Sequence, residues 1–545
     1  MRALLAATVS LMLLGAAPAL AEPISSSAIW RIAENHWSQA DEDGFGRFVT
    51  AIGDSGCSSS ESCLRSPANP WAANEDRGFL DVDVDCAKLP YLLRAYYAWK
   101  NGLPFSYVDA ISGAGDVRFS KSANVPVSRT AIVDHGGGIN GPKAMRDLLD
   151  TVFTATYRTD AGQTRGVPSD FYSPAIQPGS IRPGTVIYDT NGHVGIVYRV
   201  DAAGRISYMD AHPDYTITRS TYGAQFGQSP MRLGGGLKNW RPLQLIGAHD
   251  VNGALVGGRI AFAANSQISD FSLVQYQGTE PNPSGDISGA RFSYNGAPLG
   301  FYEYVRVAVS GGRTDFNPVY ELESTMRTLC NDLDDRRQAV DQAVQAGITA
   351  RLHPAAIPAN IYLSNDNDWE SYATPARDSR LRAAFVQFHH DLADMIAMWV
   401  NRDTRIVYDG QFLKEDLLKA YDDESRRCTT TYLSTDKHPV ALSFDDVSHR
   451  LFAMSFDPYN CVELRWGDDT DANHGAGCPD QAGKRRWYAE EQAARNEIGR
   501  DELASDSVEN GAAILIAGPG DVDIRGLIAA MPDRVPFVQH FPGDG

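Results

Sequence analysis

An odd number of cysteines behind a secretory leader leaves at least one thiol without a partner in its own chain, and this chain carries seven. The leader is Met1-Arg2, an apolar stretch from Ala3 to Ala17, and the small-residue site Ala19-Leu20-Ala21 before Glu22-Pro23. That is the pattern of a signal peptide over residues 1–21. The mature chain is expected to be exported, to a periplasm or beyond the cell, where disulfides persist. Local spacing pairs Cys57 with Cys63 and Cys461 with Cys478, leaving Cys330 for Cys428, one of several connectivities open to six cysteines. Cys86 is left over. It lies in Asp85-Cys86-Ala87-Lys88-Leu89 ahead of a helical pattern, where a lone thiol reads as a nucleophile; a buried inert thiol or a bridge to a second chain are the alternatives.

The formal charge is −19, from 68 acidic against 49 basic residues, and no Lys/Arg cluster suits a phosphate backbone, which argues against a nucleic-acid partner. No segment after the leader has the uninterrupted apolar length of a membrane span. Residues 22–250 mix helix and strand. Thr185-Val186-Ile187-Tyr188 and Val194 to Val200 read as strands, the second with Val194, Ile196, Tyr198 and Val200 on one face and His193, Gly195 and Val197 on the other. Asp201-Ala202-Ala203-Gly204 turns into a third strand, Arg205 to Ala211, where Ile206, Tyr208 and Asp210 share a face. Residues 251–318 are rich in Gly, Ser, Asn and Pro, and the runs Gly258 to Phe262 and Phe301 to Val305 read as short strands in a connecting region. In residues 319–545 the period becomes helical: Leu322, Met326, Leu329, Leu333, Val340 and Val344 form one row, and Leu381, Phe385, Phe388, Leu392, Met395 and Trp399 another, with a third helix expected around Phe412 to Tyr421. The class is α+β with a mainly helical C-terminal domain.

A cysteine hydrolase needs a thiol, a histidine to take its proton and return it to the leaving group, and a polar group to fix the histidine tautomer. Cys86, His193 and Asp210 supply these, with His212 as a competing partner for His193. A helix N-terminus favours thiolate, and its unpaired N–H groups suit the oxyanion of a tetrahedral intermediate. The helix after Cys86 carries Leu89, Leu92, Leu93, Tyr96 and Tyr97 on one face, expected to lie against a sheet.

Asp-Cys-Ala-Lys-Leu, Asn101-Gly102-Leu103-Pro104, Arg182-Pro183-Gly184-Thr185-Val186-Ile187-Tyr188 and Gly192-His193-Val194-Gly195-Ile196-Val197 resemble the papain-like NlpC-type cell-wall peptidases, and the CHAP amidases are similar. The resemblance covers the first 40–45% or so of the chain and implies a papain-like fold, a helix packed on an antiparallel sheet, with Cys86 as nucleophile, His193 as base and Asp210 in third position. It implies amide hydrolysis in peptidoglycan peptides; the thiol mechanism is expected to need no cofactor and no metal. It also places an insertion between Phe105 and about Gly179. A transglutaminase-like acyl transferase and a non-catalytic binding or scaffolding protein on the same fold remain open.

Weaker patterns have plainer readings. Gly53-Asp54-Ser55-Gly56 resembles a serine-peptidase segment but lies near the mature N-terminus with only His36 before it and Cys57 immediately after, and His135-Gly136-Gly137-Gly138 resembles an esterase loop but, with no Gly-x-Ser-x-Gly following, reads as a Gly-rich turn. His389, His390 and Asp394 invite a metal reading, since His390 and Asp394 are one turn apart on a helix, but read as a solvated helix face; Asp469 to Asp480 reads as a polar loop with a loose likeness to a calcium loop, and Asn365 to Asp368 as a turn.

Overall fold

The computed structural model describes residues 28–72, 82–118, 120, 122–190, 192–285, 287–313, 315–356, 358, 361, 367–468, 481–497 and 521–533. The leader lies outside them, as do Cys478, Asn365, Asp366 and the Asp469 to Asp480 loop.

Helix α1 (Gln39–Asp54) starts at a reciprocal cap, Ser38 and Asp41 each bonding the other's backbone N–H, and buries Phe45, Phe48, Val49 and Ile52. Helix α2 (Lys88–Lys100) follows Cys86 and is buried on every side from Leu89 onward, although the sequence pattern predicts one buried face. The reason is a second helix, α3 (Gly141–Thr151), capped by Asn140, which also packs on α2, Gly141 lying against Trp99. A hairpin of β1 (Phe105–Ser112) and β2 (Val125–Ile132) precedes α3. The hairpin and α3 occupy the segment expected to be an insertion.

The central sheet has six antiparallel strands: β3 (Phe171–Tyr172), β4 (Val186–Asp189), β5 (His193–Val200), β6 (Ile206–Ala211), β7 (Ile217–Thr221) and β8 (Gly236–Trp240). Their order is β3-β8-β4-β5-β6-β7. Both faces are buried, so Val186-Ile187-Tyr188 of β4 is a continuous apolar run where a half-exposed antiparallel strand would alternate. Val186, Tyr188, Val194, Ile196, Met209 and Ala211 face the core shared with α1 and α2. Ile187, Val197, Ile206, Tyr208 and Leu237 face a second core with Phe226, Phe301, Tyr304 and Val305. Gly53 is needed where α1 crosses β5, since a side chain there would run into Tyr198; this gives the Gly53 to Gly56 segment a packing role.

The connecting region corrects one expectation. Arg259–Phe262 is a strand, but Phe301 to Val305 belongs to a helix, α4 (Phe301–Val309). Phe301, Tyr304, Val305 and Ala308 fall at helical spacing, and that stripe closes the second core of the sheet.

Beyond it lie α5 (Pro318–Gln345), α6 (Pro375–Val400) and α7 (Leu413–Arg427), where the apolar rows predict them. Leu322, Leu329, Leu333, Leu381, Phe385, Leu392 and Leu417 make their common core. A buried ion pair ties α5 to α6, Arg336 Nε to Asp378 Oδ1 at 2.9 Å, and Arg336 Nη2 also donates to the Arg465 carbonyl at 2.7 Å. Cys57 bonds Cys63 and Cys330 bonds Cys428. Cys461 is also disulfide-bonded. No helix among the described residues is long and apolar enough to cross a membrane.

Candidate active site

The chain feeds Cys86, His193 and Asp210 into one buried region from three different elements. Cys86 sits in the turn before α2 and is the free cysteine. Its thiol donates to the Gly192 carbonyl at 3.8 Å, and the Val194 amide lies beside the sulfur. The sulfur therefore rests against the backbone on both sides of His193. It makes no hydrogen bond to the imidazole in this state.

His193 opens β5 and Asp210 lies near the end of β6. Register makes Asp210 the cross-strand partner of Gly195, on the same face as His193. His193 Nε2 meets Asp210 Oδ2 at 2.5 Å, leaving Nδ1 as the nitrogen to receive a thiol proton. His212 is displaced from that role. Its Nε2 lies 2.8 Å from Thr218 Oγ1, and Thr218 in turn donates to Asp210 Oδ1 at 2.6 Å. The two imidazoles stack, with centroids 5.6 Å apart. Thr218 was not singled out by its sequence, yet it pairs directly with Asp210 across β6 and β7, a register that the short turn between the strands implies.

Burial raises Asp210, but His212, His193 and Arg380 outweigh it and hold the carboxyl well below the usual carboxylate range. Burial and Arg380 push His193 down, only partly offset by Asp210, so the ring is neutral at pH 7. Burial, then the neighbouring Asp85 carboxylate, push the Cys86 thiol up. This departs from the thiolate expected at a helix N-terminus. Asp85 adds to the effect of burial: its Oδ1 accepts the Lys88 N–H at 3.1 Å and its carbonyl accepts the Leu89 N–H at 3.1 Å. The amides that would stabilise a thiolate or an oxyanion are thus already engaged, and a carboxylate stands where negative charge would form.

A cavity of 440 Å³ lies elsewhere, bordered by Trp37, Arg94, Asp170, Trp240 and Arg241, and none of the three catalytic candidates lines it. Three of its arginines are engaged: Arg94 pairs with Glu42 at 2.6 Å, Arg129 with Asp170, and Arg241 donates to the carbonyls of Ser169, Ala263 and Phe171. His390 and Asp394 form an exposed pair at 3.5 Å, and no group of three metal-ligating side chains occurs among the described residues. At the His135 loop, Asp134 Oδ1 accepts the N–H groups of Gly136 and Gly138 at 2.8 and 3.0 Å, a turn closed on itself.

Comparisons with protein-family models, with curated proteins and with solved structures find no match.

Proposed function

We propose that the chain is an exported cysteine hydrolase on a papain-like fold of the NlpC and CHAP kind, cleaving amide bonds in peptidoglycan peptides. The single observation that carries this reading is the His193–Asp210 bond at 2.5 Å, with the free thiol of Cys86 against the residues flanking His193. The Cys, His, Asp order along the chain, the antiparallel sheet and the helix that follows Cys86 support it. Peptidoglycan as substrate rests on the resemblance and on the secretory leader.

In this mechanism ionised Asp210 accepts the Nε2–H of His193 and leaves the Nδ1 lone pair as base. The thiol leaves the Gly192 carbonyl and passes its proton to Nδ1 as sulfur attacks the amide carbon. The C–N bond breaks, the imidazolium gives its proton to the departing amine, and a thioester to Cys86 remains. Water then adds to the thioester, His193 takes its proton, and cleavage of the S–C bond frees the acid and returns the proton to sulfur. With the thiol's resting pKa raised, proton transfer belongs to the attack step and not to a preformed ion pair.

The thiol's bond to a carbonyl in place of the imidazole favours a second reading, a binding or scaffolding protein that keeps the fold without turnover. Incubating the full chain with purified peptidoglycan and with synthetic stem peptides, followed by mass spectrometry of released products, separates the two. Amide products that vanish with Cys86→Ala and persist in chelator are expected. Products formed equally by Cys86→Ala would remove Cys86 from the mechanism; none from any chain would leave the binding reading.

A further inference from the structure

We propose that the α5–α7 region is a built-in cover of the Cys86 site, latched where Arg377 of α6 grips the turn between β6 and β7, so that the chain turns over only as the cover opens and works below its full rate. The proposal rests on the hydrolase reading above. Cys86 and His193 are only 8% exposed, His212 4% and Asp210 2%, whereas an amide carbon must reach bonding distance of the sulfur. Part of what closes the site comes from the helical region. Arg377 Nη2 lies 2.9 Å from Asp214 Oδ2 and donates to Thr216 Oγ1 at 3.1 Å, just past His212 in the chain. Arg380, one turn further along α6, brings its positive charge to bear on Cys86, His193 and Asp210 together. From α5, Asp332 accepts from Ser220 at 3.4 Å and Thr328 meets Thr221 at 3.3 Å, both along β7. Glu321 is held between Arg205 of the sheet region and Arg306 of α4.

The kind of contact explains how such a cover opens. The apolar cluster of the helical region contains residues from Phe316 onward only, and those of the sheet contain none from α5, α6 or α7. The junction holds ion pairs, hydroxyl bonds and the Arg205 guanidinium over the Tyr320 ring, 4.7 Å from its centroid, polar contacts that water replaces at small net cost once they separate. The helices keep their own core and their Cys330–Cys428 bond as they move. A cover of this composition opens as a body.

The test uses the full chain. Arg377→Asp puts like charges at the latch, and Asp214→Arg combined with Arg377→Asp restores an ion pair in reverse. The rate of Cys86 alkylation by iodoacetamide, mapped by mass spectrometry, reads opening; amide hydrolysis reads activity. We expect Arg377→Asp to raise both by about tenfold or more and the reversed pair to return both toward wild type. Equal alkylation rates in wild type and Arg377→Asp overturn the cover, and faster alkylation with slower hydrolysis makes the helical region part of the substrate site instead. Faster alkylation with no hydrolysis by any chain keeps the cover and removes the hydrolase reading. Should Arg377→Asp not fold, hydrogen exchange on the unmodified chain decides: the amides at the start of α6 open at the rate at which Cys86 is alkylated if the cover is real, and independently of it if it is not.

Discussion

On the proposed hydrolase reading, His193→Ala is expected to lower kcat/KM for amide hydrolysis by about three to four orders of magnitude, the size of loss typical when a triad member is removed. No other base takes its place, because His212 is tied to Thr218 and separated from the thiol's contacts at Gly192 and Val194. The wild-type pH profile carries the same information. Burial and Arg380 depress His193 below 6.5, so the ring is protonated, and the base lost, only as pH falls below that value. The expected profile is therefore level from pH 7 upward with a decline on the acid side, below pH 6.5. Asp210→Asn removes a negative charge that favours the imidazolium, so the acid limb moves to still lower pH, while the level portion drops because the tautomer is no longer fixed. A His193→Ala chain with wild-type kcat/KM, or an acid limb that ignores Asp210→Asn, contradicts the assignment.

The second large effect is on stability. Cys330 and Cys428 are 98 residues apart, and closing a loop of that length in the unfolded chain is worth about 5 kcal/mol on the chain-entropy account. Cys57 and Cys63, only six apart, gain about 2 kcal/mol on the same account. Replacing both Cys330 and Cys428 by serine is therefore expected to lower the urea midpoint of the helical region markedly more than the matching change at Cys57 and Cys63 lowers that of the sheet region. Fluorescence and circular dichroism across a urea series measure both. Equal shifts would show that the long bridge closes structure already present in the unfolded chain.

Much of the frame was legible because strict periods survive in the sequence. Val194, Ile196 and Ile206, Tyr208 and Asp210 alternate cleanly, and sheet pairing leaves no other register for Asp210 beside His193. The rows at Leu322 and Leu381 are long enough to fix two helices. Phe301 to Val305 was misread because a short apolar run has no period until Ala308 extends it. The state of Cys86 departs from the expectation for reasons the sequence hides: helix position alone favours thiolate, but burial disfavours the charge, and Asp85 engages the first amides and adds like charge. The contacts over the site were invisible, since Arg377 reaches Asp214 from 163 positions away and neither residue belongs to a motif. Thr218 lay within reach of the hairpin register and was passed over.

The central claim is that Cys86 carries the acyl group. Quenching the full chain in acid during turnover of a stem peptide, or of its ester analogue, and mapping the adduct by mass spectrometry tests it directly. The account predicts an acyl mass on Cys86 that is lost on hydroxylamine treatment, forms in the wild-type chain and is absent from Cys86→Ala. Turnover that continues with Cys86 unmodified at every time point, or an acyl group found on another residue, contradicts it.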